Sequence, residues 1–157
     1  MLSNSDREAV PEDNHMTIRI LLADDHTIIL EGICRLLREQ EDMEIVGQAR
    51  DGRAAIELCR QLEPDVVLMD ISMPVLDGIE ATRQICQTQP TVKVIALSMH
   101  SHRVYVREMF KRGARGYLLK DCDDQDLLTA IRTVAEGGTY TSPGIEDGPA
   151  ARELQGP

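Results

Sequence analysis

Four short apolar runs in this chain each end abruptly on a polar side chain, and that pattern narrows the folds open to it. Ile18 to Ala23 stops at Asp24-Asp25, Val66 to Met69 at Asp70, Val92 to Leu97 at Ser98, and Tyr117 to Leu119 at Lys120. Continuous runs of Val, Ile and Leu separated by helical periodicity mark strands buried on both faces of a parallel sheet. Glu44 to Gln48 suits one further short strand. The segments between them read as helices. The first runs from about His26 to Glu39, where Ile29, Ile33, Leu36 and Leu37 recur at helical spacing. The second is capped by Asp51, carries Ile56, Cys59 and Leu62, and is ended by Pro64. The third follows a loop holding Pro74 and Gly78 and reaches about Gln87. The fourth spans about His102 to Arg112, with Gly113 at C′. The fifth is capped by Asp123 or Asp124, turns Leu127, Leu128, Ile131 and Val134 inward, and stops at Gly137-Gly138. Five strands alternating with five helices predict an α/β fold, a doubly wound five-stranded parallel sheet.

The chain has 157 residues, enough for one domain with a real core. Aromatic residues make up only 3% and Trp is absent, so that core must be aliphatic. The formal net charge is -10, and the middle of the chain stays acidic when both ends are set aside. Affinity for nucleic acid rests on Lys and Arg neutralising phosphates, so direct nucleic-acid binding is not expected of this chain. Residues 1–16 are polar, charged and contain Pro11, and read as a flexible leader. Residues 139–157 read as a linker or tail, which leaves 17–138 as the folded domain. Cys34, Cys59, Cys86 and Cys122 have no CxxC spacing and read as small buried or half-buried hydrophobes. No signal-peptide pattern and no membrane-length apolar run is visible, which predicts a soluble, cytoplasmic setting.

In open parallel sheets, ligands bind outside the carboxyl ends of the strands. Asp24, Asp25, Asp70, Ser98 and Lys120 would therefore converge on one rim. Three crowded carboxylates repel one another, and a divalent cation relieves the repulsion. Mg²⁺ takes oxygen ligands from one or two carboxylates and a phosphate, so Asp24, Asp25 and Asp70 are the candidate metal ligands. A carboxylate also attacks phosphorus to form an aspartyl phosphate, which makes Asp70 the candidate phosphoacceptor. Charge then spreads over three phosphoryl oxygens, and the Lys120 ammonium and the Ser98 hydroxyl suit two of them. Asp24-Asp25 alone would equally suit a pair complementing a helix macrodipole. His100 and His102 read as the solvated start of a helix.

These pieces, taken in order, resemble the receiver domain of bacterial two-component response regulators, with the CheY-like fold. The matching stretches are Leu22-Ala23-Asp24-Asp25-His26, MDISMPVLDG around Asp70, Ala96-Leu97-Ser98 and Gly116-Tyr117-Leu118-Leu119-Lys120. The resemblance implies strand order 2-1-3-4-5, a Mg²⁺ site at Asp24 and Asp25 completed by Asp70 and the backbone carbonyl of Ser72, and catalytic roles for Asp70, Lys120 and Ser98. It also implies a switch formed by Ser98 and Tyr117, in which Ser98 moves toward the phosphoryl group and Tyr117 swings into the space left behind. Asp121 follows Lys120 where many receivers have proline, so the bond between them is either trans or strained. Gly116-Tyr-Leu-Leu-Lys-Asp and the later Glu136-Gly-Gly-Thr-Tyr-Thr-Ser-Pro143 resemble the LuxR-type (NarL/FixJ) group, whose receivers precede a helix-turn-helix domain. The few residues after Pro143 are too short for that module.

The function implied is a phosphorylation-switched signalling receiver in a phosphorelay, taking its phosphoryl group from a sensor histidine kinase and, in the parent architecture, regulating transcription. The alternative is a stand-alone receiver acting through protein contacts. Neither is a turnover enzyme, because Ser72 stands where aspartyl-phosphate phosphatases carry a second acid. Arg103, Arg107, Lys111 and Arg112 are expected to be exposed on the fourth helix, available to an acidic partner or to a second copy in a phosphorylation-induced homodimer.

Overall fold

The computed structural model describes residues 17–143 and 145, so expectations for the leader and for most of the tail lie outside the described residues. Its elements are β1 (Ile18–Ala23), α1 (Thr27–Arg38), β2 (Met43–Ala49), α2 (Gly52–Leu62), β3 (Val66–Asp70), α3 (Gly78–Thr88), β4 (Lys93–Ser98), α4 (Arg103–Lys111), β5 (Gly116–Leu119), α5 (Asp124–Ala135) and β6 (Tyr140–Thr141). The strands form one sheet ordered β2-β1-β3-β4-β5-β6, and every neighbouring pair is parallel. The predicted order is present with one strand more than predicted. β6 lies in the stretch read as linker or tail, and two residues are too few to show any periodicity. Backbone bonds from Tyr140 N–H to the Arg115 carbonyl and from Ser142 N–H to the Tyr117 carbonyl hold it.

Alternation along the strands divides the core between the two faces of the sheet. Ile20, Leu22, Val66, Leu68, Ile95, Leu97 and Leu118 pack under α1 and α5, against Leu30, Leu37, Leu127, Leu128, Ile131 and Val134. Leu21, Ala23, Val67, Met69, Val94, Ala96 and Tyr117 face the other way, toward Ala55, Cys59, Ala81, Ile85, Val106 and Met109 of α2, α3 and α4. Each fully buried Leu or Ile stabilises the fold by roughly 1.5–3 kcal/mol relative to exposure. The inner face predicted for α5 is buried throughout. Cys34 and Cys59 are buried, Cys86 and Cys122 half-buried, and all four are free thiols.

Helix starts follow the chemistry of short acidic side chains. Asp51, Asp77 and Asp123 accept the backbone N–H three residues on, from Ala54, Glu80 and Asp126 at 2.8, 2.9 and 2.8 Å. Each such cap contributes about 1 kcal/mol. Asp123, not Asp124, is thus the cap of α5. Gly113 follows α4 with φ 115°, the left-handed geometry expected of a C′ glycine. On α4, Arg103, Lys111 and Arg112 are exposed as predicted, whereas Arg107 is half-buried. Arg112 also pairs with Glu108 one turn back, at 3.1 Å.

Candidate functional site

β3 is the centre of the sheet and is buried along its whole length, so its last residue, Asp70, is drawn out of water with it. Asp70 is 2% exposed and Asp24, at the end of neighbouring β1, is 1% exposed. Lys120 leaves β5 with its amide donating to the Ser98 carbonyl at 2.8 Å, and its side chain reaches back across β4. Its Nζ lies 3.0 Å from Asp24 Oδ2 and 3.1 Å from Asp70 Oδ2. One ammonium therefore bridges two buried carboxylates from different strands. Asp25 stands at the rim, about one-third exposed.

A residue that sequence reasoning did not assign to the site joins these four. His26 Nδ1 lies 2.8 Å from Asp24 Oδ1, 3.4 Å from Asp25 Oδ1, 3.6 Å from Asp70 Oδ2 and 3.0 Å from Lys120 Nζ. The signal available was its position: it follows the acidic pair at the N-cap of α1, where a turn folds its ring back over the strand ends. Its backbone N–H also donates to Asp24 Oδ1 at 2.8 Å. Among the described residues, Asp24, Asp25, His26 and Asp70 form a group whose ligand atoms all lie within 4.8 Å of one another.

The electrostatics follow from burial set against these partners. Burial raises the Asp70 carboxyl to about 6; the Ser72 N–H opposes this, the Asp24 charge adds to it, and Lys120 opposes it. Burial also works against charge on Asp24, but the His26 amide, Lys120 and the His26 ring together bring its carboxyl below the ordinary value. Two carboxylates at 3 Å from a single ammonium leave the pocket short of positive charge, which is what a divalent cation would supply. The donor set, three carboxylates with an imidazole at the rim, fits such an ion.

The loop after β3 is built to hold Asp70 still. Ser72 N–H donates to Asp70 Oδ1 at 3.1 Å, and Gly78 N–H donates to the Ile71 carbonyl at 3.1 Å. A Cβ on Gly78 would come within 2.0 Å of the Asp70 carbonyl oxygen, and one on Gly52 within 2.2 Å of the Leu76 carbonyl oxygen. Only glycine lets α2 and α3 approach the loop this closely. At the loop's tip, Val75 has φ 69° while Leu76 N–H donates to the Pro74 carbonyl at 2.7 Å, a strained γ-turn for a β-branched residue.

Ser98 and Tyr117 are positioned differently from the charged group. Ser98 is 1% exposed at the end of β4, and its Oγ accepts the His100 N–H at 2.8 Å. Tyr117 is fully buried, and its hydroxyl donates to the His100 carbonyl at 2.9 Å. Burial raises the Tyr117 phenol to about 12, with Ser98 acting in the opposite direction. His100, expected to be a solvated helix start, thus links the two candidate switch residues through its backbone, while its ring stacks on Tyr105 with centroids 4.9 Å apart. The Lys120-Asp121 bond is trans, as are all peptide bonds among the described residues.

Comparison with known proteins places this geometry. Residues 20–132 match the family described as the response regulator receiver domain. The transcriptional regulatory protein DegU of Brevibacillus brevis is 44% identical over 132 residues, which are 84% of this chain and 56% of that protein. The chain therefore spans little more than half the length of that relative. Among solved structures, a LuxR-family two-component response regulator from an Aurantimonas species superposes with a TM-score of 0.80 at 36% identity, covering 88% of this chain and 96% of the other. The receiver domain of the response regulator NarL from Mycobacterium tuberculosis superposes with a TM-score of 0.75 at 33% identity, covering 77% and 98%.

Proposed function

The chain belongs to the response regulator receiver family, and from that premise we propose that Asp70 is the residue through which it is switched, accepting a phosphoryl group from the phosphohistidine of a sensor kinase. One observation carries this assignment: Asp70 is the single carboxylate at the end of the central strand that is both buried and bridged by Lys120 to a second buried acid. A carboxylate oxygen of Asp70 attacks phosphorus, the bond from phosphorus to the donor nitrogen breaks, and the leaving imidazole keeps the electron pair. Lys120 is already within reach of the atom that would carry the new group, and it neutralises charge as that group arrives. Ser72 N–H and Gly78 hold the attacking carboxylate in place, which is most of what a protein contributes to phosphoryl transfer. Mg²⁺, held by Asp24, Asp25, Asp70 and the Ser72 carbonyl, would supply the remaining positive charge when bound.

Ser98 is the hydroxyl that would turn to a phosphoryl oxygen, giving up its bond to His100, and Tyr117 is tied to the same backbone. The reading is of a switch and not of a turnover enzyme, since Ser72 offers no second acid beside Asp70. DegU is described as a transcriptional regulatory protein, so the output proposed for the whole protein is transcription control, with this acidic domain itself making no contact with nucleic acid. No helix among the described residues is long and apolar enough to cross a membrane, which agrees with a site of action in the cytoplasm. Phosphorylation-induced pairing of two copies is part of the proposal, checked by light scattering with and without a phosphoryl mimic.

Intact-mass spectrometry after incubation with acetyl phosphate tests the core of the reading. A gain of one phosphoryl group that requires Mg²⁺ and is lost in Asp70→Asn is the expected result. No gain in the native chain would overturn it.

A further inference from the structure

The ring nitrogen of His26 that faces the pocket has neighbours whose demands conflict. Its Nδ1 lies 3.0 Å from Lys120 Nζ, which only donates, and 2.8 Å from Asp24 Oδ1, which only accepts. One ring nitrogen carries either a lone pair or a proton, so it satisfies one of these neighbours and opposes the other. Two more carboxylate oxygens stand near it, Asp25 Oδ1 at 3.4 Å and Asp70 Oδ2 at 3.6 Å. Asp25 Oδ1 is buried and accepts no hydrogen bond from the described residues, although the side chain that carries it is 34% exposed. The ring is not needed to start its helix either: His26 is the N-cap of α1 and makes no side-chain capping bond. Neutral Nδ1 and the three oxygens are all lone-pair donors, and one cation among them satisfies the set at once.

We propose that His26 Nδ1 is itself a ligand of the metal site, and that the pocket therefore prefers a first-row transition-metal dication such as Co²⁺ over Mg²⁺. The inference rests on the metal role given above to Asp24, Asp25 and Asp70, and extends it to which ion the pocket selects. Magnesium is a hard ion that takes oxygen and keeps its waters, so it gains little from an imidazole. Imidazole suits the transition metals, whose affinity for mixed nitrogen and oxygen sites climbs from Mn²⁺ through Co²⁺ to Cu²⁺. The spacing fits as well. Adjacent ligands on an octahedron of radius about 2.1 Å stand about 3.0 Å apart, and the separations of 2.8, 3.4 and 3.6 Å from Nδ1 lie on either side of that value. Lys120 loses nothing when an ion takes the Nδ1 lone pair, since it keeps Asp24 Oδ2 and Asp70 Oδ2 at 3.0 and 3.1 Å. His26 is 53% exposed, so its ring stands on the solvent side of the pocket and moves onto an ion without disturbing the core. A switch that needs a divalent ion would then be loaded at transition-metal concentrations well below those that Mg²⁺ requires.

Calorimetric titration of the metal-free whole chain with Co²⁺ and with Mg²⁺, alongside His26→Ala and Asp25→Asn, is the test. Co²⁺ is expected to bind the native chain more tightly than Mg²⁺. His26→Ala should cut that preference by at least about tenfold, the lower end of the loss seen when even the outer support of a metal ligand is removed. Asp25→Asn should weaken the same Co²⁺ binding, which ties it to this pocket and not to His100 or His102. Pulsed electron paramagnetic resonance reads the ligand directly: the Mn²⁺-loaded native chain should show nitrogen coupling from an imidazole, and His26→Ala should lose it. Equal losses of Co²⁺ and Mg²⁺ affinity in His26→Ala, or Mn²⁺ without nitrogen coupling in the native chain, would overturn His26 as a ligand while leaving the carboxylates and Asp70's role intact. Binding of neither Co²⁺ nor Mg²⁺ would overturn both.

Discussion

Replacing Asp70 with Asn should make the metal-free protein more stable at neutral pH, although it removes the residue on which the function depends. The pocket holds two carboxylates that are nearly fully buried, a third at the rim and one ammonium between the buried pair. Burial raises the Asp70 carboxyl to about 6 from an ordinary 3.8. The folded protein therefore holds a proton there that the unfolded chain has already lost, so stability falls as pH rises from about 3.8 to about 6 and stays lowered above that. Over that span the loss amounts to roughly 3 kcal/mol. Asn keeps the shape and can still accept the Ser72 N–H, while Lys120 remains paired with Asp24. Urea unfolding in EDTA at pH 7.5 should show the variant about 1–3 kcal/mol more stable than the native chain. The gap should close as the pH is lowered through 5 toward 4, because the native carboxyl is then neutral as well. It should also narrow with Mg²⁺, since a ligand at ten times its Kd adds about 1.4 kcal/mol to the protein that binds it. An Asn variant no more stable than the native chain at pH 7.5, or a gain independent of pH, would refute the picture of an under-compensated pocket.

Other perturbations give equally definite expectations. Mg²⁺ should raise the thermal midpoint of the native chain, and Asp25→Asn should reduce that rise, as read by scanning calorimetry across a metal titration. Gly78→Ala forces a methyl to 2.0 Å from the Asp70 carbonyl oxygen; it should cost at least about 2 kcal/mol in urea unfolding and slow phosphorylation by acetyl phosphate. Arg132 meets Asp42 with its Nε 2.8 Å from Oδ2 and lowers that carboxyl's titration. Both side chains are more than a third exposed or close to it, so Arg132→Ala should cost no more than about 1 kcal/mol. Because the folded carboxyl titrates lower than the unfolded one, the contribution is present above about 3.8 and should vanish as the pH falls below it, which unfolding at pH 7 and pH 3 will show.

The parts of the molecule legible in the sequence are those with a repeating physical reason. β1, β3 and β4 are buried on both faces, so their apolar runs are continuous and end where the sheet ends, which also placed Asp24, Asp70, Ser98 and Lys120 on one rim. Asp51 and Gly113 announced helix boundaries through capping chemistry. What stayed hidden depends on single contacts between distant segments. His26 reads as an ordinary helix start until the turn at Asp24 brings its ring over the carboxylates. His100 contributes its backbone and not its side chain to the Ser98–Tyr117 connection, so its residue type carried no signal. β6 is two residues long, and Ser142 and Ile145, buried just beyond it, are too isolated to form a pattern. Arg107, read as exposed with the other basic residues of α4, is half-buried, and helical spacing alone gave no sign of that.

The aliphatic core has an optical consequence. The chain contains no Trp and a single Phe, and its three Tyr are Tyr105, Tyr117 and Tyr140. Tyr105 stacks on His100, Tyr117 is bonded to it, and Tyr140 pairs beside β5, so every tyrosine chromophore lies on the β4-β5-β6 side of the molecule. The half of the sheet that anchors β2 and α1 contributes none. Near-ultraviolet circular dichroism and tyrosine emission are therefore spectroscopically one-sided. Without any label, they report on the environment of the strands around Tyr117 and remain blind to the rest of the fold.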